Sequence, residues 1–125
     1  MINHVSIGVS DIAAAKRFYD ATLAPLGYKR LSESDDSLGY GDKVEGFYVL
    51  AVERPVPADR KSGLHFAFDA PTRKSVDKFY AAALKHGGKD NGKPGVREDY
   101  GPNYYAAYVI DPQGYRLEAY SSASE

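Results

Sequence analysis

The chain has 125 residues, is 43% hydrophobic and carries a formal net charge of −1, with a pI near 6.3; this is the usual size of one globular domain, able to bury most of the surface its unfolded chain exposes. Its 16 basic residues are scattered rather than gathered into a stripe, which argues against nucleic acid as a partner. With no cysteine, a disulfide framework, a thiolate nucleophile and cysteine-bound zinc are excluded.

The opening run, MINHVSIGVSDIAAAKR, has no basic leading region, and His4 and Asp11 interrupt its apolar residues. Neither a signal peptide nor a spanning helix is expected, so a cytoplasmic location without a membrane partner is. Val5, Ile7 and Val9 give the alternating apolar face of a first strand. A helix follows, with Ser10 as its expected N-cap and Ile12, Ala15, Tyr19, Thr22, Leu23 and Leu26 as an approximate apolar stripe. Gly27 can supply the left-handed residue that ends it. Three shorter strands are predicted at about 29–34, 37–42 and 46–53, and the segment ERPVPADRKSG, 53 to 63, reads as a link.

The pattern then repeats. His4 and His65, Phe18 and Phe79, Tyr19 and Tyr80, Leu23 and Leu84, and Gly27 and Gly88 are all separated by the same 61 positions (65 − 4 = 61), which points to a duplicated unit. Leu64, Phe66 and Phe68 make the second opening strand. Thr72 caps a helix with a Val76, Phe79, Tyr80, Ala83, Leu84 stripe, and Gly87 or Gly88 ends it. His86 sits at that helix end, where exposed carbonyls favour a donor or cation. Strands are predicted at about 95–99, 103–110 and 114–121. The stretch KDNGKPGVREDYGPN, 89 to 103, reads either as a binding loop or as a ragged edge strand. Asp111-Pro112-Gln113-Gly114 places Pro and Gly where a type I turn prefers them. The predicted fold class is therefore α+β, one domain over 1–125: two βαβββ modules, about 1–54 and 63–122, joined by a linker of about 55–62.

A helix packed on a sheet takes the apolar face of each opening strand. Side chains alternate along strands, so the opposite faces carry His4, Ser6 and Gly8; His65, Ala67 and Asp69; and Arg116, Glu118 and Tyr120. A buried Glu118 needs compensation, because an unpartnered buried carboxylate costs several kcal/mol or becomes neutral. Arg116, two residues away on the same face, is one candidate partner. The other reading joins His4, His65 and Glu118 as a 2-His-1-carboxylate set suited to Fe(II), Mn(II) or similar ions. Spacing leaves both open.

The segments HVSIGVSD with FYDATLAPLGY, then GLHFAF, then DPQGYRLEAY, together resemble the vicinal oxygen chelate superfamily of glyoxalase I, bleomycin-resistance proteins and extradiol dioxygenases. Asp-Pro-x-Gly-x-x-x-Glu is the most specific part of the likeness. It implies a cup-shaped mixed sheet with helices on its outer face, formed within one chain or across a homodimer. It also implies one divalent ion (Fe, Mn, Zn or Ni) on His4, His65 and Glu118. The ion would chelate neighbouring oxygens of a small oxygen-rich or electrophilic substrate, for lyase, dioxygenase or thiol-transferase chemistry. Within the same superfamily, a metal-free protein of bleomycin-resistance type, holding an amphipathic ligand between tyrosine walls, is the alternative. A third reading makes the polar triad structural, in an interaction domain. Tyr48, Tyr104, Tyr108 and Tyr120 are candidate walls or proton donors, or plain packing residues, and Arg116 is a candidate orienter of an anionic substrate. Glyoxalase I-like members add a fourth-strand glutamate. Aligning Gly46 with Gly114 puts Leu50 in that slot, while Glu45 and Glu53 fall near the strand's ends. No phosphate-binding glycine loop or Gly-x-Ser-x-Gly elbow is present.

Overall fold

Alternating apolar residues mark most of the eight strands, pairing imposes the polar edge strands, and the two 3.6-period stripes produce two helices. The computed structural model describes all 125 residues. The first module comprises β1 (Val5–Val9), α1 (Ile12–Leu23), β2 (Lys29–Glu33), β3 (Ser37–Gly41) and β4 (Glu45–Ala51). The second comprises β5 (Phe66–Asp69), α2 (Arg73–Lys85), β6 (Lys89–Val96), β7 (Tyr105–Ile110) and β8 (Arg116–Ser121). Each module forms one mixed sheet, in the orders β1-β4-β3-β2 and β5-β8-β7-β6, whose opening strand pairs in parallel with its last. No ladder joins the two sheets.

The sheets share a core instead. Alternate strand residues, among them Ile7, Val9, Val49, Val109, Leu117 and Ala119, bury with Phe18, Tyr19, Leu23, Val76 and Phe79 of the helices in one cluster of 20 residues. Phe47 of β4 meets Phe68 of β5 edge-on at 5.2 Å between ring centres, and α1 packs on α2. The helix-facing sides of both sheets are thus turned toward common apolar contacts. The faces bearing His4 and Glu118 are turned away from them.

Several sequence expectations shift by a residue or two. Asp11, not Ser10, caps α1, accepting the Ala14 amide at 3.0 Å. Ser10 is engaged elsewhere: its amide and hydroxyl both donate to Gln113 Oε1, at 2.9 and 3.1 Å. Thr72 caps α2 as expected, in a reciprocal capping box with Ser75. Leu64 precedes β5 and is exposed, as is Leu84, so both drop out of the expected apolar faces. The edge strand takes only the first part of segment 89–103: β6 runs from Lys89 to Val96 rather than over the expected 95–99, slips register on both sides of Gly92, and gives way to a short 3-10 turn at Glu98–Tyr100. No helix is long and apolar enough to cross a membrane.

The 111–114 turn locks the modules together. Asp111 Oδ1 accepts the amides of Gln113, Gly114 and Tyr115 at 2.8 to 2.9 Å, while Oδ2 accepts the Tyr19 hydroxyl of α1 at 2.5 Å. Tyr115 in turn donates to the Gly8 carbonyl of β1 at 2.7 Å.

Candidate metal and ligand site

β8 presents Glu118 on the open face of the second sheet, and its neighbours close over it until only 2% of the residue is accessible. Across the sheet, Gly92 of β6, Tyr108 of β7, Glu118 and Ala67 of β5 lie in register. The carboxylate has two partners. His65 Nε2 lies 3.1 Å from Oε1, and the Tyr104 hydroxyl donates to Oε2 at 2.5 Å. His65 stands just ahead of β5, with 49% of its side chain accessible, so the pair is open to solvent on the imidazole side. Burial, reinforced by the hydrogen bond and charge of Glu118, pushes the Tyr104 phenol above its ordinary pKa. It therefore keeps its proton at neutral pH and serves as a donor.

Arg116 does not neutralise Glu118. Its guanidinium donates instead to the Leu64 carbonyl at 3.3 Å, and it forms no ion pair. The main rival partner for Glu118 is thereby removed. His86 Nδ1 is 2.8 Å from the Ala82 carbonyl at the end of α2, as expected of a helix-terminal donor.

His4 lies elsewhere in the chain, on the open face of the first sheet. It is exposed, its Nδ1 is 2.7 Å from Asn3 Oδ1, and its ring meets Tyr48 edge-on at 5.4 Å. Within one chain no group of three His, Asp or Glu side chains comes together. His65 and Glu118 are brought together; His4 is not brought to them.

The duplication explains the His4 contact. Ser6 and Ala67 are equivalent in the repeat, and their partners across the parallel ladders are Tyr48 and Glu118. The first-module counterpart of Glu118 is therefore Tyr48, not Leu50. Gly46 and Gly114 misled the alignment because they do different work: Gly114 turns the chain at φ 109°, whereas Gly46 lies within β4 at no such angle. His4–Tyr48 and His65–Glu118 are the same structural pair in two chemistries.

Aromatic rings wall the carboxylate. Tyr104 lies 4.2 Å from Tyr120 with the planes 34° apart, and the exposed Tyr100 packs on Tyr104 at 5.1 Å. Arg97, absent from the sequence-based candidates, lies over the Tyr108 ring, 5.3 Å from its centre. The signal that could have found it is the glycine spacing of NGKPGVR, which clears the sheet surface beneath a long side chain. A cavity of about 560 Å³ lies between the modules, lined by Phe47, Phe66 and Phe68 with His65 among its walls. It is apolar and does not include Glu118, so the chemistry of the open face is the better guide to the site.

This fold, with a histidine and a buried glutamate on the open face of the second βαβββ module, defines a class of proteins built on paired βαβββ modules. Residues 1–119 match the Glyoxalase/Bleomycin resistance protein/Dioxygenase superfamily, and the chain belongs to that family. It is similar to the crystal structure of a glyoxalase/bleomycin resistance protein from Albidiferax ferrireducens T118, at 30% identity and TM-score 0.82 over 95% of this chain and 97% of that one. It is 26% identical to the uncharacterized protein YqjT of Bacillus subtilis (strain 168), over 94% of this chain and 95% of that protein. The fold is shared with the fosfomycin resistance protein FosX from Mesorhizobium loti, at 17% identity and TM-score 0.70 over 99% and 93% of the two chains.

Proposed function

We propose that the protein is a small divalent-metal-dependent enzyme of this superfamily, taking a small oxygen-rich or electrophilic substrate on the open face of the second module. The observation that carries the reading is the buried Glu118 carboxylate, which has an imidazole and a phenol as partners and no cationic side chain. A carboxylate oxygen beside a half-exposed imidazole is a donor set suited to Fe, Mn, Zn or Ni. His65 and Glu118 would hold the ion, with His4 of a second copy of the chain as the third ligand. A homodimer supplies that copy, because each chain carries its His4 and its His65–Glu118 pair on separate sheets. A bound ion there supplies Lewis-acid polarisation of substrate oxygens.

The chain's own residues have simpler duties. Tyr104 fixes the Glu118 carboxylate by its hydrogen bond, which holds the other carboxylate oxygen toward His65. Tyr104, Tyr108 and Tyr120 form walls that exclude water from one side of the ligand. Tyr108 and Tyr120 are the candidates for direct contact with substrate, whereas Arg116, held by the Leu64 carbonyl, is not used in this reading. The alternative is a metal-free binding protein of bleomycin-resistance type, favoured by the stacked Tyr100, Tyr104 and Tyr120 shelf.

Elemental analysis of protein prepared without a polyhistidine tag decides between them. Near-stoichiometric metal is expected, lost in both His65→Ala and Glu118→Ala. Metal-free protein after refolding with Fe, Mn, Zn and Ni contradicts the enzyme reading, and tight binding of an aromatic ligand by that protein favours the alternative.

A further inference from the structure

Arg97 is a half-buried cation with no carboxylate partner. It follows β6, the edge strand of the second sheet, and is half-buried on the same open face as Glu118. Its backbone amide donates to the Tyr104 carbonyl at 2.7 Å, which ties it to the residue that holds Glu118. One terminal nitrogen donates to the Lys93 carbonyl at 2.5 Å. The guanidinium carbon lies over the Tyr108 ring, and Tyr108 is the residue directly opposite Glu118 in the β7–β8 ladder.

The strand beneath it is cut away to make room. A Cβ at Gly95 would stand 3.1 Å from Arg97 Nη1, and one at Gly92 would stand 3.4 Å from Nη2 and 2.8 Å from the Tyr108 ring. Glycine at both positions lets the guanidinium lie close against the sheet. Despite this, Arg97 forms an ion pair with no carboxylate. Five donors on a guanidinium serve one carbonyl, so a charged fork is left with spare N–H groups beside the tyrosine walls.

We propose that Arg97 is the anion-recognising residue of this site, and that the ligand taken there carries an oxyanion, a carboxylate or a phosphonate. The planar fork matches two oxygens of such a group, which a lysine or a neutral donor would hold less well. This assigns to Arg97 the anion-orienting role that the sequence offered to Arg116, and it rests on the reading of the Glu118 face as the binding site. It does not depend on the metal.

The test is a titration of the full-length, EDTA-treated ¹⁵N-labelled protein with acetate, methylphosphonate and neutral acetamide, followed by amide shifts of Tyr104 to Tyr108. Saturable shifts are expected with at least one anion and not with acetamide, and the stronger of the two anions identifies the carboxylate or the phosphonate as the preferred group. Arg97→Gln should weaken the anion at least about tenfold, the loss expected when a charge-assisted bidentate contact goes, and Arg97→Lys should recover part of it. Metal content in Arg97→Gln should equal that of the wild type, so failure of the metal reading leaves this result legible. Unchanged anion affinity in both variants, acetamide binding as well as acetate, or no saturable shift in the wild type overturns the proposal.

Discussion

Asp111 gathers four hydrogen bonds on one buried carboxylate, three from backbone amides of its own turn and one from Tyr19 of the other module. Removing the acceptor with Asp111→Ala orphans those donors, and a buried unsatisfied group costs about 1–3 kcal/mol. A loss of about 3 kcal/mol or more in urea unfolding is expected. Burial pushes the Asp111 pKa above the ordinary carboxylate value, against the pull of the Tyr19 and amide donors. A carboxyl whose folded pKa is raised contributes stability that is fully present below the unfolded pKa, about 4, and lost as pH rises through the folded one. Asp111→Asn lacks that pH-dependent contribution, so its deficit relative to wild type should be largest below about pH 4 and shrink above it. Unfolding curves at both ends of that window check the sign. At this scale the sequence was a good guide to which face a side chain takes, because strand parity has a period of two: Glu118 lies on the face predicted for it. It was a poor guide to partners. Arg116 shares the parity of Glu118 yet reaches the Leu64 carbonyl, and Arg97 lies outside any regular strand phase.

The elements follow the same division between local rule and tertiary override. The two helices appear where the stripes predict them, yet Ser10 loses its cap role because Gln113 of the distant turn takes both of its donors. Replacing Asp11 or Thr72 with Ala should each lower stability by about 1 kcal/mol, the usual loss for an N-cap, while Ser10→Ala should leave α1 capped and weaken only its hydroxyl contact to the turn. Thermal melts of the three variants, with helix content followed by circular dichroism, separate these outcomes. β6 was the hardest element to read. Gly92 and Gly95 lower its strand propensity, and pairing with β7 imposes the strand in spite of them, at the cost of two register slips.

Over the whole molecule, the repeat of 61 positions carried the architecture: two equivalent βαβββ modules, each with a parallel outer pair. Parity within each module could not say whether the two open faces meet, because that depends on how the modules pack. The shared core, with Phe47 against Phe68 and α1 against α2, gives the helix-facing sides to each other and leaves the open faces without a common site inside one chain. A homodimer that brings His4 of one copy to His65 and Glu118 of another is the arrangement that would complete the proposed ligand set. The direct test is complementation: His4→Ala and Glu118→Ala chains are mixed by unfolding and refolding together, and bound metal is counted. Each mixed dimer would then contain one intact site and one doubly damaged site, so random pairing in a symmetric dimer restores about a quarter of the wild-type metal. A mixture that binds no more metal than the average of the two separate variants contradicts the account.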